Sequence, residues 1–179
     1  MKLVILDRDG VINYDRSDYI KNADEWIPIQ GSLESIAKLN KNGFKVVVAS
    51  NQGGIGKGIF NVNELNNINN KISNSLKIFG GEIDKFFYCL HTDIDNCDCR
   101  KPKTGLLDQI NEYYKISLKD VPAVGDSERD LAAFDKVKAQ PILVKTGNGE
   151  QTFLTNKYPK NTWIFSNLSE AIDEILKKY

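Results

Sequence analysis

Fourteen residues, CLHTDIDNCDCRKP from Cys89 to Pro102, hold all three cysteines of the chain and its single histidine. The pattern Cys89-x-His91, five intervening residues, then Cys97-x-Cys99 offers three thiolates and one imidazole, a complete tetrahedral set for Zn²⁺. No ligand is spare and no position is open, so the pattern reads as structural zinc folding a loop over residues 89–99. Three cysteines cannot pair evenly, and in a reducing compartment closely spaced Cys and His point to metal rather than to disulfides. Arg100, Lys101 and Lys103 follow at once. The plain alternative is a solvated basic turn beside unconnected small residues; a zinc clip instead implies that those cations must be held in place.

A second constellation is made of carboxylates. LDRDGVIN places Asp7 and Asp9 two residues apart behind an apolar run. Two carboxylates leaving one strand end can converge on a metal and a substrate while the intervening Arg8 points elsewhere. Such a pair suits an aspartate nucleophile assisted by a second aspartate as acid and base. SNQGGIGKG, residues 50–58, adds the Ser50 hydroxyl, the Asn51 amide and four glycines whose N–H groups can approach an oxyanion. Its spacing fits neither the P-loop nor the dinucleotide fingerprint, so no nucleotide cofactor is expected. GDSERD then brings Asp126 directly after a strand and Asp130 into a helix start, where a negative charge suits the dipole. Asp7, Asp9 and Asp126 are hard oxygen ligands for Mg²⁺, and Lys101 with the Ser50 loop would neutralise a phosphate. Together they describe phosphoryl transfer to an aspartate.

These residues need a frame that gathers them. Lys2–Leu6, Lys45–Ala49, Phe86–Leu90, Val121–Val124 and Pro141–Val144 are short apolar runs that read as buried strands. Between them lie helical patterns over Ser32–Leu39, over the face Leu65, Ile68, Ile72, Leu76 and Phe79, over Thr104–Tyr114 and over Glu128–Val137. A last helix spans Ser166–Lys178 with Ser166 as its N-cap. Alternating strand and helix predicts an α/β fold with a mostly parallel sheet and helices on both faces, and ligands beyond the carboxyl ends of the strands.

A chain of 179 residues is the size of one domain. Its 24 basic and 24 acidic residues leave no global field for nucleic acid or a membrane surface, so neither is expected as a partner. The opening MKLVILDRDG is too short an apolar run for a signal core or a membrane span. A cytoplasmic monomer is the expectation.

DxDG, a strand ending in Ser-Asn, a lysine before the next helix and GDxxxD resemble, in order, the four motifs of the haloacid dehalogenase superfamily of phosphatases. LDRDGVIN, SNQGGIGKG, the CxH…CxC loop running into CRKP, and VGDSERDL are similar to the D,D-heptose 1,7-bisphosphate phosphatase and histidinol-phosphate phosphatase branch. The likeness extends through DYIKNADEW and VKTGNGEQT over nearly the whole chain. It implies a Rossmann-like fold with the zinc loop in place of a large cap, and a small phosphorylated sugar as substrate. It implies that Asp7 forms the aspartyl-phosphate, that Asp9 protonates the leaving alcohol and then activates water, and that Ser50 and Asn51 grip the phosphoryl group whose charge Lys101 stabilises. Mg²⁺ would be held by the carboxylates of Asp7 and Asp126 and the backbone carbonyl of Asp9. Arg100 would reach the distal part of the substrate, a second phosphate, while Asp15, Tyr19, Gln52 and Gly53 match substrate-contacting positions and Asp130 supports.

The chain departs from that pattern at Thr104, where proline is usual, at Ser127, and at Gly53, Gly56 and Lys57. These departures bear on fine specificity rather than on the chemistry. SNQGGIGKG and RKPKTG also resemble DNA 3'-phosphatase domains, which would want a basic track for the strand. A histidinol-phosphate phosphatase and a non-catalytic zinc-stabilised binding module are the other readings. The last would have no use for Asp7, Asp9, Asp126 and Lys101 together.

Overall fold

The apolar runs are too short for helices and too continuous for a half-exposed sheet, and they pair side by side with both faces covered. In the computed structural model, which describes residues 1–179, six strands form one sheet in the order β3-β2-β1-β4-β5-β6. They are β1 (Lys2–Leu6), β2 (Phe44–Asn51), β3 (Lys85–Cys89), β4 (Pro122–Gly125), β5 (Gln140–Val144) and β6 (Trp163–Phe165). Every pairing is parallel. Seven α-helices alternate with them: α1 (Ser32–Lys41), α2 (Gly53–Gly56), α3 (Val62–Ile78), α4 (Gly105–Tyr114), α5 (Glu128–Lys136), α6 (Gly149–Thr155) and α7 (Leu168–Lys178), with a 3-10 turn at Ala23–Glu25.

Alternate side chains of each strand feed two separate cores. Val4, Leu6, Val46, Val48 and Val124 pack under α1, α3 and α7 through Ile36, Leu39, Ile68, Ile72 and Ile172. Leu3, Ile5, Val47, Ala49 and Ala123 pack on the other face under α4 and α5 through Leu107, Ile110, Leu131 and Phe134. Each fully buried aliphatic side chain contributes about 1.5–3 kcal/mol, so the sheet has little freedom to shift. Leu6 lies in register with Val48 of β2 and with Val124 of β4. That register delivers Asp7, Ser50 and Asp126 to one edge.

The sequence expectations meet three local corrections. The last helix begins at Leu168 and its N-cap is Asn167, whose side chain accepts the Glu170 N–H at 3.0 Å. Ser166 lies one residue too early to reach that amide. The three-residue β6 and the seven-residue α6 were not expected, because neither is long enough to show a period. The glycine-rich segment after Ser50 closes into α2 instead of remaining an open loop.

Candidate active site

Asp7, Ser50, Lys101 and Asp126 are 8%, 1%, 2% and 2% exposed at the floor of a cleft of about 310 Å³ beyond the strand ends. Asp9, Asp15, Tyr19, Asn51, Gln52, Gly53 and Arg100 line the same cleft, so the expected active-site residues meet in one place. Asp130 lies behind them, fully buried.

Lys101 is the hub. Its Nζ stands 3.1 Å from Asp7 Oδ1 and 2.6 Å from Asp130 Oδ1, and donates to the Ala49 carbonyl at 2.7 Å. The two carboxylate oxygens make charge contacts to it without the alignment of hydrogen bonds. Burial alone would push the lysine pKa down, but Asp130 and Asp7 outweigh it and hold the pKa above its ordinary value. Asp130, for which burial alone would favour the neutral form, is held down by Lys101. Asp130 also closes a capping box on α5, accepting from Ser127 Oγ at 2.5 Å and Ser127 N at 3.1 Å. It therefore does more than complement a helix dipole: it anchors the lysine.

Asp9 departs from expectation. Its carboxylate does not join Asp7 on a common metal position, and Arg8 does not point elsewhere. Arg8 is 1% exposed and clasps Asp9 with two donors, Nε to Oδ1 at 2.9 Å and Nη2 to Oδ2 at 3.0 Å. Asn13 Nδ2 adds a bond to Oδ1 at 2.9 Å, and Gln52 Nε2 bonds Oδ2 at 2.8 Å and Ser50 Oγ at 3.1 Å. The arginine's alternate direction along the strand is overridden because a buried guanidinium must find an anion. Asn51 likewise turns to the main chain of Lys101, donating to its carbonyl and accepting its N–H, both at 3.1 Å.

The carboxylates that do gather are Asp7, Asp126 and Asp130, with one oxygen of each within 4.8 Å of the others. Asp130 is committed to Lys101 and Ser127. Asp7 is pushed up to about 6 by burial, against the pull of Lys101, and Asp126 up to about 8 by burial and by the charges of Asp130 and Asp7. The buried Asp7 and Asp126 carboxylates, facing each other at the cleft floor, are hard oxygen donors of the kind that fit Mg²⁺. The backbone packs directly against Asp126. Gly10, at φ +79°, and Gly147, at φ +58°, come so close to the Asp126 carboxylate that a Cβ on either would collide with it.

The three cysteines and the imidazole form a second cluster that could hold a metal ion. Cys89 Sγ lies 3.6 Å from Cys97 Sγ and 3.7 Å from His91 Nδ1, Cys99 Sγ lies 3.5 Å from Cys97 Sγ, and His91 Nδ1 lies 3.2 Å from Cys99 Sγ. Ligands at about 2.0–2.3 Å from a tetrahedral zinc stand roughly 3.3–3.8 Å apart. The four residues fit that ion, and they would hold the loop that carries Arg100, whose Nε donates to Asp93 at 2.5 Å and Nη1 to the His91 carbonyl at 3.3 Å.

The chain resembles known proteins along its length. A family model described as polynucleotide kinase 3 phosphatase matches residues 2–138. The D-glycero-beta-D-manno-heptose-1,7-bisphosphate 7-phosphatase of Pseudomonas putida is 48% identical over 176 residues, covering 98% of this chain and 100% of its own. That of Neisseria meningitidis serogroup A is 43% identical over 180 residues, covering 99% and 96%. The chain belongs to the heptose bisphosphate phosphatase family of haloacid dehalogenase enzymes. A solved structure of such a phosphatase from Bordetella bronchiseptica, complexed with magnesium and phosphate, superposes with a TM-score of 0.98 at 42% identity over 100% of both chains. The shared extent includes α6, β6 and α7, which lie beyond the family model's match.

The geometry also brings to the site residues that sequence reasoning passed over. Asn148 donates its N–H to Asp126 Oδ2 at 2.7 Å and its side-chain amide towards Asp126 and Asp15 at 3.3 and 3.4 Å. Thr152 Oγ1 donates to the Asp126 carbonyl and Thr146 Oγ1 to the Gly10 carbonyl. The KTGNG segment after β5 thus braces the metal position from above. Its paired glycines were the available signal. No helix of the chain is long and apolar enough to cross a membrane.

Proposed function

We propose that this chain is a phosphoric monoester hydrolase that removes the 7-phosphate of D-glycero-β-D-manno-heptose 1,7-bisphosphate through an aspartyl-phosphate on Asp7. The observation that carries the reading is Asp7 at the cleft floor beside Lys101 and Asp126, with Asp9 fixed separately by four donors. Relatives matching end to end and named for this reaction support the substrate. Residues 1–179 would act as one unit, with the zinc loop 89–99 standing in for a cap.

An Asp7 carboxylate oxygen attacks phosphorus in line with the bond to the C7 oxygen. As that P–O bond breaks, the leaving oxygen takes the proton carried by Asp9. Protonating Asp9 Oδ2 uses a lone pair, so the Gln52 amide releases it and keeps its bond to Ser50 Oγ. Water then attacks the phosphorus of phospho-Asp7, giving its proton to Asp9, and the Asp7 carboxylate and inorganic phosphate are released. Lys101 and Ser50 carry the charge on the phosphoryl oxygens, and Asn51 keeps the Lys101 main chain in place. The Asp7 and Asp126 carboxylates and the Asp9 carbonyl would hold Mg²⁺, which supplies charge neutralisation at the phosphoryl oxygens. Phosphate monoester hydrolysis is among the slowest uncatalysed reactions, so fixed charges of this kind must supply most of the acceleration. Asp15, Tyr19, Gly53 and Arg100 contact the sugar and its far end.

Phosphate release with Mg²⁺, compared as kcat/KM across the heptose bisphosphate anomers, histidinol phosphate and a 3'-phosphorylated oligonucleotide, tests this reading. The β-bisphosphate is expected to lead by about 10²-fold or more, of the order that a site built for polar groups achieves. A lead for either of the other substrates refutes it.

A further inference from the structure

Five cationic side chains line the cleft, and four of them already have a partner in the protein. Lys101 lies between Asp7 and Asp130, Arg100 pairs with Asp93, Arg16 pairs with Asp18, and Lys57 Nζ stands 5.4 Å over the Tyr19 ring. Arg129 is the fifth, and it makes neither an ion pair nor a hydrogen bond. Stability does not explain its place. It is the second residue of α5, in a first turn where Glu128 and Asp130 suit the helix dipole and a cation opposes it.

Its position separates it from the reacting centre. Asp7, Ser50, Lys101 and Asp126 are buried, whereas Arg129 is exposed at the rim, on the wall that also carries Asp15 and Asn148. The strand order puts β4 and α5 on one side of β1, and β2, β3 and the zinc loop with Arg100 on the other. The two arginines therefore flank the cleft. Partial loss of hydration works against the Arg129 charge, but Asp130, Asp7, Asp126 and Asp15 hold its proton. A permanent cation at the rim that no carboxylate of the protein touches can take an anion from the substrate, and a guanidinium fork matches phosphate through two parallel bonds. Arg100 would first have to loosen its grip on Asp93.

We propose that Arg129 is a specificity-determining residue that binds the second phosphate of the substrate, the one that is not hydrolysed. The inference rests on the bisphosphate reading above and deepens it.

The test compares kcat/KM for heptose 1,7-bisphosphate and heptose 7-phosphate in the wild type, Arg129→Ala, Arg129→Lys and Arg100→Ala. A charge-assisted contact of this kind is worth about 10- to 100-fold. Arg129→Ala is expected to lose that factor on the bisphosphate, mostly in KM, and to stay within about twofold on the monophosphate, as an exposed substitution away from the chemistry should. Arg129→Lys recovers part of the loss. Melting temperature is unchanged or slightly raised, since a cation leaves the first turn of a helix. Equal losses on both substrates would place Arg129 on the reacting phosphate and overturn the inference. So would no loss on either, or discrimination that disappears only in Arg100→Ala. A wild type that does not turn over the bisphosphate sinks the proposed function and this inference with it. A wild-type preference that survives in Arg129→Ala sinks the inference alone.

Discussion

Lys101 and Asp130 can be separated by a double-mutant cycle of Lys101→Met and Asp130→Asn. Their side chains are 1% and 0% exposed and 2.6 Å apart. Methionine keeps the bulk of lysine and removes its charge, leaving the Asp130 carboxylate buried without a cation. Removing one member of a buried pair costs about 3–5 kcal/mol, whereas an exposed pair is worth under about 1 kcal/mol. For a chain of 179 residues each kcal/mol moves the melting temperature by about 2–4 °C, so Lys101→Met is expected to melt roughly 6–20 °C lower. Asparagine at 130 can still accept from Ser127 while shedding the uncompensated charge. The double variant should therefore regain about 2 kcal/mol or more relative to the sum of the singles. Catalysis should not follow stability. Lys101→Met and the double variant both lose the cation beside Asp7, a loss of about 10²–10³ in kcat, typical of removing one fixed transition-state donor. Urea unfolding in metal-free buffer reads the first quantity, and steady-state phosphate release with Mg²⁺ reads the second. Additive stability losses below about 1 kcal/mol, as at an exposed pair, would refute the idea that Asp130 anchors the lysine.

Three further outcomes can be measured with the same protein. Asp7→Asn should abolish phosphate release, by about 10⁴-fold or more as for other removed nucleophiles, while near-UV circular dichroism stays native; retained turnover would exclude an aspartyl-phosphate. Because Asp7 and Asp126 are raised to about 6 and about 8, the metal-free fold binds more protons than the unfolded chain, whose carboxylates titrate near 4. Its stability should fall as pH rises from about 4 to 8, and the melting-temperature gain from Mg²⁺ should grow over the same span; a gain independent of pH contradicts the two-carboxylate cradle. Elemental analysis should find about one zinc per chain, as a single four-ligand site requires, and Cys99→Ser should lose it together with most bisphosphate turnover. A metal-free, fully active chain removes the zinc clip.

The fold and the floor of the site were legible because both rest on local signals. Buried parallel strands read as apolar runs, and the first polar residue after each run must lie at a strand end; Asp7, Ser50 and Asp126 follow from that alone. The clustering of Cys89, His91, Cys97 and Cys99 was legible because residue type and spacing are enough to suggest it. Residues whose role depends on the chain returning were not. Asn148 reaches Asp126 across 22 positions, and nothing in KTGNG alone says where it lands. Arg8 was misplaced by strand alternation, although a charge bounded by VIL and VI runs in a buried segment should have prompted a search for its anion. Asp130 looked like an ordinary helix-start acid because its partner, Lys101, comes from a different loop. The three-residue β6 has no period to detect, only a place at the sheet edge beside β5.

Charge pairing in the cleft shows why the remaining pieces must come from outside the protein. Five acids, Asp7, Asp9, Asp15, Asp93 and Asp126, line it with five cations, Arg16, Lys57, Arg100, Lys101 and Arg129. Arg8, behind the wall, neutralises Asp9; Lys101 is shared by Asp7 and Asp130; Arg100 takes Asp93; and Arg16 turns to Asp18. No cation pairs with Asp126 or Asp15, and on the other side no anion pairs with Arg129 or Lys57. The cleft is neutral as a sum and unsatisfied at both ends. The unpaired Asp126 at the floor suits a divalent cation, and at the rim, where Asp15 and Arg129 share a wall without an ion pair, the Arg129 guanidinium suits a phosphate dianion. A ligand carrying a single phosphate would meet only the floor.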